Sequence, residues 1–328
     1  MNRTMLGTVL IAALSTSIML GVRFGSVPIS TADVLAILAG GGDSVLRDIV
    51  LNLRLPRVLL GVIVGGGLAL SGATFQALLR NPLAEPYILG ISGGASLGAV
   101  SVIALGWVSQ TSWALPLAAF AGALLAIGLV FRVATSTGRA MDVRVLLLSG
   151  VVIASFFAAC IAFILSISPA RTVQTAVLWS MGSLAGAGWG SVILAAAYTL
   201  PAAVALAALA RPLNLMAIGE ETAYYLGANV EGVKRTGLVI AALITAAGVS
   251  VAGIIGFVGL VVPHTIRLLI GSDNRVLLPL SFLGGATFLT LADLVARLGP
   301  TEIPIGVITA FVGVPIFLVL LRRSLTST

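Results

Sequence analysis

The side chains in this chain that could do chemistry are eleven carboxylates, one histidine, one cysteine and eighteen basic residues. A carrier that binds a coupling ion needs an ionisable group or a helix break near the middle of the membrane. Asp33, Asp43 and Asp48 precede the second apolar run. Asp142, Glu220, Glu221, Glu231 and Asp273 fall in polar connections between runs, and Glu85, Asp293 and Glu302 fall near run ends. None is placed centrally. Asp293 and Arg297 are spaced i,i+4, so they can pair on one helix face.

His264 and Cys160 stand alone, which excludes a disulfide framework and a protein-built Cys/His metal site. His264 follows Pro263 inside an apolar run and reads as a structural or coupling residue, and Cys160 reads as packing. The stretch from Gly227 to Arg235, GANVEGVKR, looks superficially like a phosphate loop. It fails the pattern, because Val233 separates the second glycine from Lys234 and Arg235 stands where Ser or Thr is required. No Ser/Lys, paired-Asp or HExxH arrangement lies in the apolar runs, so no catalytic residues and no metal ligands are expected. If ATP drives this molecule, another subunit hydrolyses it.

The elements that must position these residues are set by composition. Apolar residues make up 59% of 328 positions and charged residues 9%, too little polar surface for a soluble exterior. Runs of about 20 apolar residues recur, the length that crosses about 30 Å of hydrocarbon. They lack period-two alternation, so helices fit better than barrel strands, and the 38 glycines read as close-packing surfaces between helices.

The expected fold is all-α, a polytopic membrane protein of about ten transmembrane helices in one domain over residues 1–328. The spans are placed at Leu6–Val22, Arg57–Leu79, Tyr87–Trp107, Trp113–Val133, Val145–Ile167, Ser191–Ala210, Thr236–Val251, Ile254–Ile270, Leu277–Leu298 and Ile303–Leu321. The first run exceeds a signal-peptide core and lacks a small-x-small cleavage site, so it reads as a retained helix. With the N-terminus inside, twelve of eighteen basic residues fall in cytoplasmic connections and tails, which supports cytoplasmic N- and C-termini. In a membrane protein this excess marks topology, and no nucleic-acid partner is expected.

Two connections are long enough for structure of their own. The first outer loop, 24–53, contains Ser30 to Gly42, with capping chemistry before an apolar stripe. The cytoplasmic segment 214–235 contains GEETAYYLG, which predicts two short helices joined at Gly227, a surface on which an external motor could push. Leu53–Arg57, LRLPR, sets two arginines at the mouth of the second span, and Arg297 lies at the outer end of the ninth. Such guanidinium groups can bind the carboxylates of a docking partner or snorkel to lipid headgroups. In Arg80–Tyr87, RNPLAEPY, two prolines enforce a break before a helix restarts.

Together these segments resemble the FecCD-type permease family of ABC importers, the vitamin B12, iron-siderophore and haem permeases. The resemblance rests on LRLPR, SGATFQALLRNPLAEPYILGISGGA (71–95), GEETAYYLG (219–227), GFVGLVVPHTIRLLIG (256–271) and EIPIGVITAFVGVPIFLVLL (302–321), and covers nearly the whole chain in order. It implies a type II ABC importer permease architecture in the bacterial inner membrane. Its implied partners are a second copy of the permease, two cytoplasmic ATPase subunits that bind ATP and Mg, an extracytoplasmic substrate-binding protein and the membrane lipid. No cofactor is implied for this chain.

Carried over residue by residue, the resemblance assigns binding-protein docking to Arg54, Arg57 and Arg297. It assigns ATPase coupling to about Leu215 through Val230, with Gly219, Glu220, Glu221, Ala223, Leu226 and Gly227 at its centre. By position it points to a gate at Asn81, Leu83 and Met141 through Val145, including Asp142, and to a path along the fifth span with Ser155, Phe163 and Ser166 as candidates. The implied mechanism is alternating access driven by the ATPases, with an iron chelate, haem or cobalamin as cargo. An ion-coupled secondary transporter is the alternative, weakened by the placement of the carboxylates.

Overall fold

The run LPRVLLGVIVGGGLALSGATFQAL is apolar on every side, the signature of a helix surrounded by protein, and it forms the centre of the bundle. In chain order the helices are α1 (Arg3–Arg23), α2 (Thr31–Leu38), α3 (Ser44–Asp48), α4 (Leu55–Leu78), α5 (Ile91–Ala104), α6 (Ala114–Thr135), α7 (Val143–Ser166) and α8 (Ala170–Ser180). There follow α9 (Trp189–Ala208), α10 (Ala210–Ile218), α11 (Glu220–Tyr225), α12 (Val230–Ala252), α13 (Val258–Ile270), α14 (Asn274–Ala296) and α15 (Ile305–Thr326). The structure is a computed structural model describing residues 2–108, 113–135, 141–299 and 301–326.

The helix running through α3 and α4 has 89% of its apolar window buried, whereas α1, α6, α7 and α9 keep only 22–28% inside the protein. Around α4 pack α14, α12, α13 and α9, while α5 and α6 form a second closely packed pair. Glycine permits these approaches. A methyl group at Gly65 would lie 2.4 Å from the Gly285 carbonyl oxygen and one at Gly285 would lie 2.3 Å from that of Gly65. Gly94 and Gly122 make the same reciprocal contact between α5 and α6, at 2.2 and 2.1 Å. In lipid, where no hydrophobic force drives helices together, such backbone proximity is what holds them.

Seven helices among the described residues are long and apolar enough to cross a membrane, and α5, α13 and Ile305–Val319 of α15 are shorter apolar helices. Together they account for the ten expected spans. The third and eighth spans are shorter than expected. Before α5, Pro86–Leu89 forms a 3-10 turn and Gly90 turns left-handed at φ 73°, so the helix begins at Ile91. Before α13, Gly253 and Phe257 both take φ 68° and delay the helix to Val258. Irregular backbone of this kind is tolerated at membrane depth only inside protein.

Two further differences concern connections. The helix α8 was not expected, because eleven residues with Arg171, Gln174 and Thr175 on them fall short of a span. The segment α2 starts as expected, with the Ser30 hydroxyl accepting the Asp33 N–H at 3.1 Å. In the 214–235 segment the two short helices α10 and α11 are joined at Gly219, not at Gly227. Gly219 adopts φ 139°, a conformation closed to other residues, while Gly227, at φ 82°, ends α11 ahead of α12.

Candidate functional site

The bundle has two ends. At the terminal face, where α1 begins, lie α10, α11, the connections after α4 and α13 and Met141 just ahead of α7; the opposite face carries the 24–54 segment and residues 297–299 and 301–304 between α14 and α15. On the opposite face Arg54, Arg57 and Arg297 converge with Glu302, Gly25 and Ser26 around a cleft of about 520 Å³. Each arginine already has partners within the chain. The Arg54 guanidinium is 6% exposed and donates to the backbone carbonyls of Val22, at 3.0 Å, Arg23, at 2.6 Å, and Val27, tying down the end of α1.

Asp293 on α14 is 1% exposed and is shared by two arginines. Arg57 donates from Nε and Nη2 to its Oδ1 at 2.9 and 2.8 Å, and Arg297, one turn along α14, approaches its Oδ2 at 3.1 Å. Arg57 also pairs with Glu302, and Arg297 donates to the Gly21 carbonyl at 3.1 Å. The i,i+4 pairing of Asp293 with Arg297 was legible in the sequence. The bidentate bond from Arg57, 236 residues away, was not.

At the terminal face the coupling and gate candidates come together. Glu220, first residue of α11, pairs with Arg80 at 3.0 Å and with Lys234 of α12. Lys234 is 4% exposed and also donates to the Met141 carbonyl at 3.2 Å, while both carboxylate oxygens of Glu231 accept the Met141 N–H at 3.2 Å. The start of α12 therefore grips the Met141 backbone from both sides. Asp142 then caps α7 by accepting the Arg144 N–H at 2.7 Å, and Val145 lies in that first turn. Asn81 accepts the Leu83 N–H at 2.9 Å in the connection that carries Arg80.

This grip was not foreseen from the sequence; the signal was a single lysine among seventeen arginines, one turn after Glu231. The tip of α11 projects outward, with Tyr224, Tyr225 and Leu226 at 70%, 78% and 59% exposure, while Ala223 is fully buried and anchors it. On the same face Asp273 accepts from the Asn214 amide at 2.7 Å, and that bond, with the Arg275 N–H, holds its carboxyl below the usual carboxylate range.

Ser155, Phe163 and Ser166 are exposed along α7. At about 100° per residue they fall within roughly 80° of one another, a single stripe. Phe311 and Val314 are exposed on α15, where an open apolar cleft of about 650 Å³ is lined also by Met181, Ile254 and Phe257. Ser155 and Ser166 donate to backbone carbonyls of their own helix, at 2.9 and 2.7 Å, and so present little polarity. The stripe lies apart from both the mouth arginines and the α11 cluster.

One group sits deeper than the sequence indicated. Glu85 enters the bundle and accepts the Phe257 N–H at 2.9 Å at the start of α13, beside Tyr87, whose hydroxyl bonds the Ile255 backbone. Its carboxylate is thus engaged as a helix-start cap. His264 is 9% exposed on α13, and its Nδ1 has no hydrogen-bond partner among the described residues. No group of three His, Cys, Asp or Glu able to hold a metal occurs among those residues.

Known proteins resemble the chain over most of its length. The chain is 45% identical over 295 residues to the cobalamin import system permease protein BtuC of Halobacterium salinarum, covering 90% of this chain and 79% of that one. It is 43% identical over 278 residues to the hemin transport system permease protein HmuU of Yersinia pestis, covering 83% of each. A solved structure described as an inward-facing conformation of a metal-chelate type ABC transporter superposes with a TM-score of 0.87 at 31% identity, over 98% of this chain and all of that one. The family model for FecCD transport matches residues 11–323. With seven membrane-length and three shorter apolar helices among the described residues this is a multi-pass membrane protein, and the chain belongs to the FecCD transport family.

Proposed function

We propose that the chain is the membrane subunit of a binding-protein-dependent ABC importer for an iron chelate, haem or cobalamin. It works as a pair of copies, with two separate ATPase subunits binding ATP and Mg on its terminal face. That face is cytoplasmic, as the distribution of basic residues supports, in a bacterial inner membrane. The chain itself carries no catalytic residue and no cofactor. The observation that carries the reading is the α11 tip: aromatic and leucine side chains held out from a rigid anchor, in a family member without a phosphate loop of its own.

The opposite face suits an acidic extracytoplasmic binding protein. Arg54, Arg57 and Arg297 form one basic rim, and Glu302, with a side chain 39% exposed, is the carboxylate there that an incoming one can replace on Arg57. The exposed α7 stripe and the apolar α15 cleft suit the facing copy and the path between copies, with Asn81, Leu83, Met141, Asp142 and Val145 at its inner end. A path lined by apolar side chains and self-bonded serines selects cargo weakly, which leaves most selectivity to the binding protein.

The test is on the α11 tip. Tyr225→Ala with Leu226→Asp is expected to lower the amount of ATPase co-purifying with the chain by about tenfold or more, as loss of an interface hot spot does. Because both side chains are exposed, the folded level should stay the same. Undiminished ATPase recovery would place the motor elsewhere.

A further inference from the structure

Resting on that reading, we propose that Lys234 is the positioning residue that carries movement of α11 to the inner end of α7. Three elements meet at one buried ammonium. Its Nζ holds Glu220, at the head of the motor-facing helix, and the Met141 carbonyl, immediately before the α7 cap. Glu231, one turn earlier on the same helix, accepts from the N–H of the same residue, Met141. Glu220 in turn holds Arg80, on the connection that carries Asn81 and Leu83.

The physical basis is the cost of separating these charges. A lysine with 5% of its side chain exposed cannot replace a lost carboxylate with water, so an α11 that shifts must take the ammonium with it or leave it unpaired. Met141, 2% exposed in the core and held at both its N–H and its carbonyl, follows α12 rather than sliding past it. The Arg80 side chain is 41% exposed against 5% for Lys234, so Arg80 can part from Glu220 more cheaply than Lys234 can. The arrangement ranks its bonds: the link to α7 is stiff and the link to the Arg80 connection is soft.

A role in transmission differs from a role in folding by what it separates. The experiment places the whole assembly in proteoliposomes and measures ATP hydrolysis and uptake together. The cargo probe is whichever of cobalamin, haem or ferric hydroxamate stimulates hydrolysis by the unsubstituted assembly. Lys234→Met is expected to keep hydrolysis within about twofold while uptake per ATP falls about tenfold or more, a typical coupling range. Lys234→Arg restores uptake to within about threefold, since it keeps the cation and its reach. Arg235→Met, an exposed neighbour, changes neither.

If Lys234→Met does not accumulate, Glu220→Gln, on the half-exposed partner, decides the matter with the same split expected. Uptake and hydrolysis that fall in equal proportion, or that both stay at the unsubstituted level, overturn the role of Lys234 and leave the importer reading standing. An unsubstituted assembly that takes up cargo without hydrolysing ATP overturns the importer reading itself.

Discussion

Replacing Asp293 with Leu is expected to destabilise the folded chain by about 3 kcal/mol or more, the magnitude seen when one partner of a buried ion pair is removed. The carboxylate is the common acceptor for Arg57 and Arg297, whose side chains are only 12% and 9% exposed. Without it two guanidinium groups stand side by side with no anion between them. Arg297 keeps the backbone carbonyls of Gly21 and of position 293, and Arg57 keeps Glu302, which limits the loss but does not replace a bidentate bond. Glu302→Gln, on a side chain 39% exposed, should cost less than about 1 kcal/mol. Unfolding free energies measured by steric trapping in bicelles check both values, and equal effects from the two substitutions would remove Asp293 from its place as organiser of the mouth.

The second large effect is steric. A methyl group added at Gly72 of α4 would sit 1.8 Å from the Gly259 carbonyl oxygen of α13, and the obstacle is backbone, which no rotamer change can clear. Gly72→Ala is therefore expected at or beyond the upper end of the about 1–3 kcal/mol typical of overpacking. The same substitution at Gly128 of α6 meets nothing within 4 Å and should fall within about 0.5 kcal/mol of neutral. The yield of monodisperse protein after heating ranks the two. The contrast isolates close approach from helix propensity, because both glycines lie inside helices and gain equally from alanine.

How much of this was legible in the sequence differs by feature. Hydropathy located all ten apolar helices, because a 20-residue apolar run has few other solutions in lipid. It overextended two of them at Tyr87 and Ile254, since Gly90, Gly253 and Phe257 take left-handed conformations that apolar patterning does not register. The GEETAYYLG motif marked a segment of short helices, proposed above to face the motor, yet its joint went to Gly227 because Gly219 also reads as a simple helix start. Local pairs such as Asp293 with Arg297 follow from helical spacing. Contacts such as Arg57 with Asp293, or Lys234 with Met141, join residues far apart in the chain, and only the packing of α4, α12 and α14 brings them within reach.

The carboxylates show the same limit. Glu85 reads as a residue near a span end, yet the connection after α4 turns back into the bundle and sets it against the α13 start. A half-buried carboxylate in a membrane protein is a natural candidate for ion coupling. This one is engaged with a backbone N–H at 2.9 Å, which accounts for its position without an ion. Energy from a separate motor therefore remains the reading that fits both the sequence and the geometry.

The most direct test of that reading is cargo accumulation in proteoliposomes holding the complete assembly, with the partner ATPase either intact or carrying a substitution of its phosphate-loop lysine. The account predicts that accumulation requires ATP, stops with the substituted partner and is indifferent to a proton or sodium gradient. Accumulation that persists with the substituted partner and follows an ion gradient would contradict it.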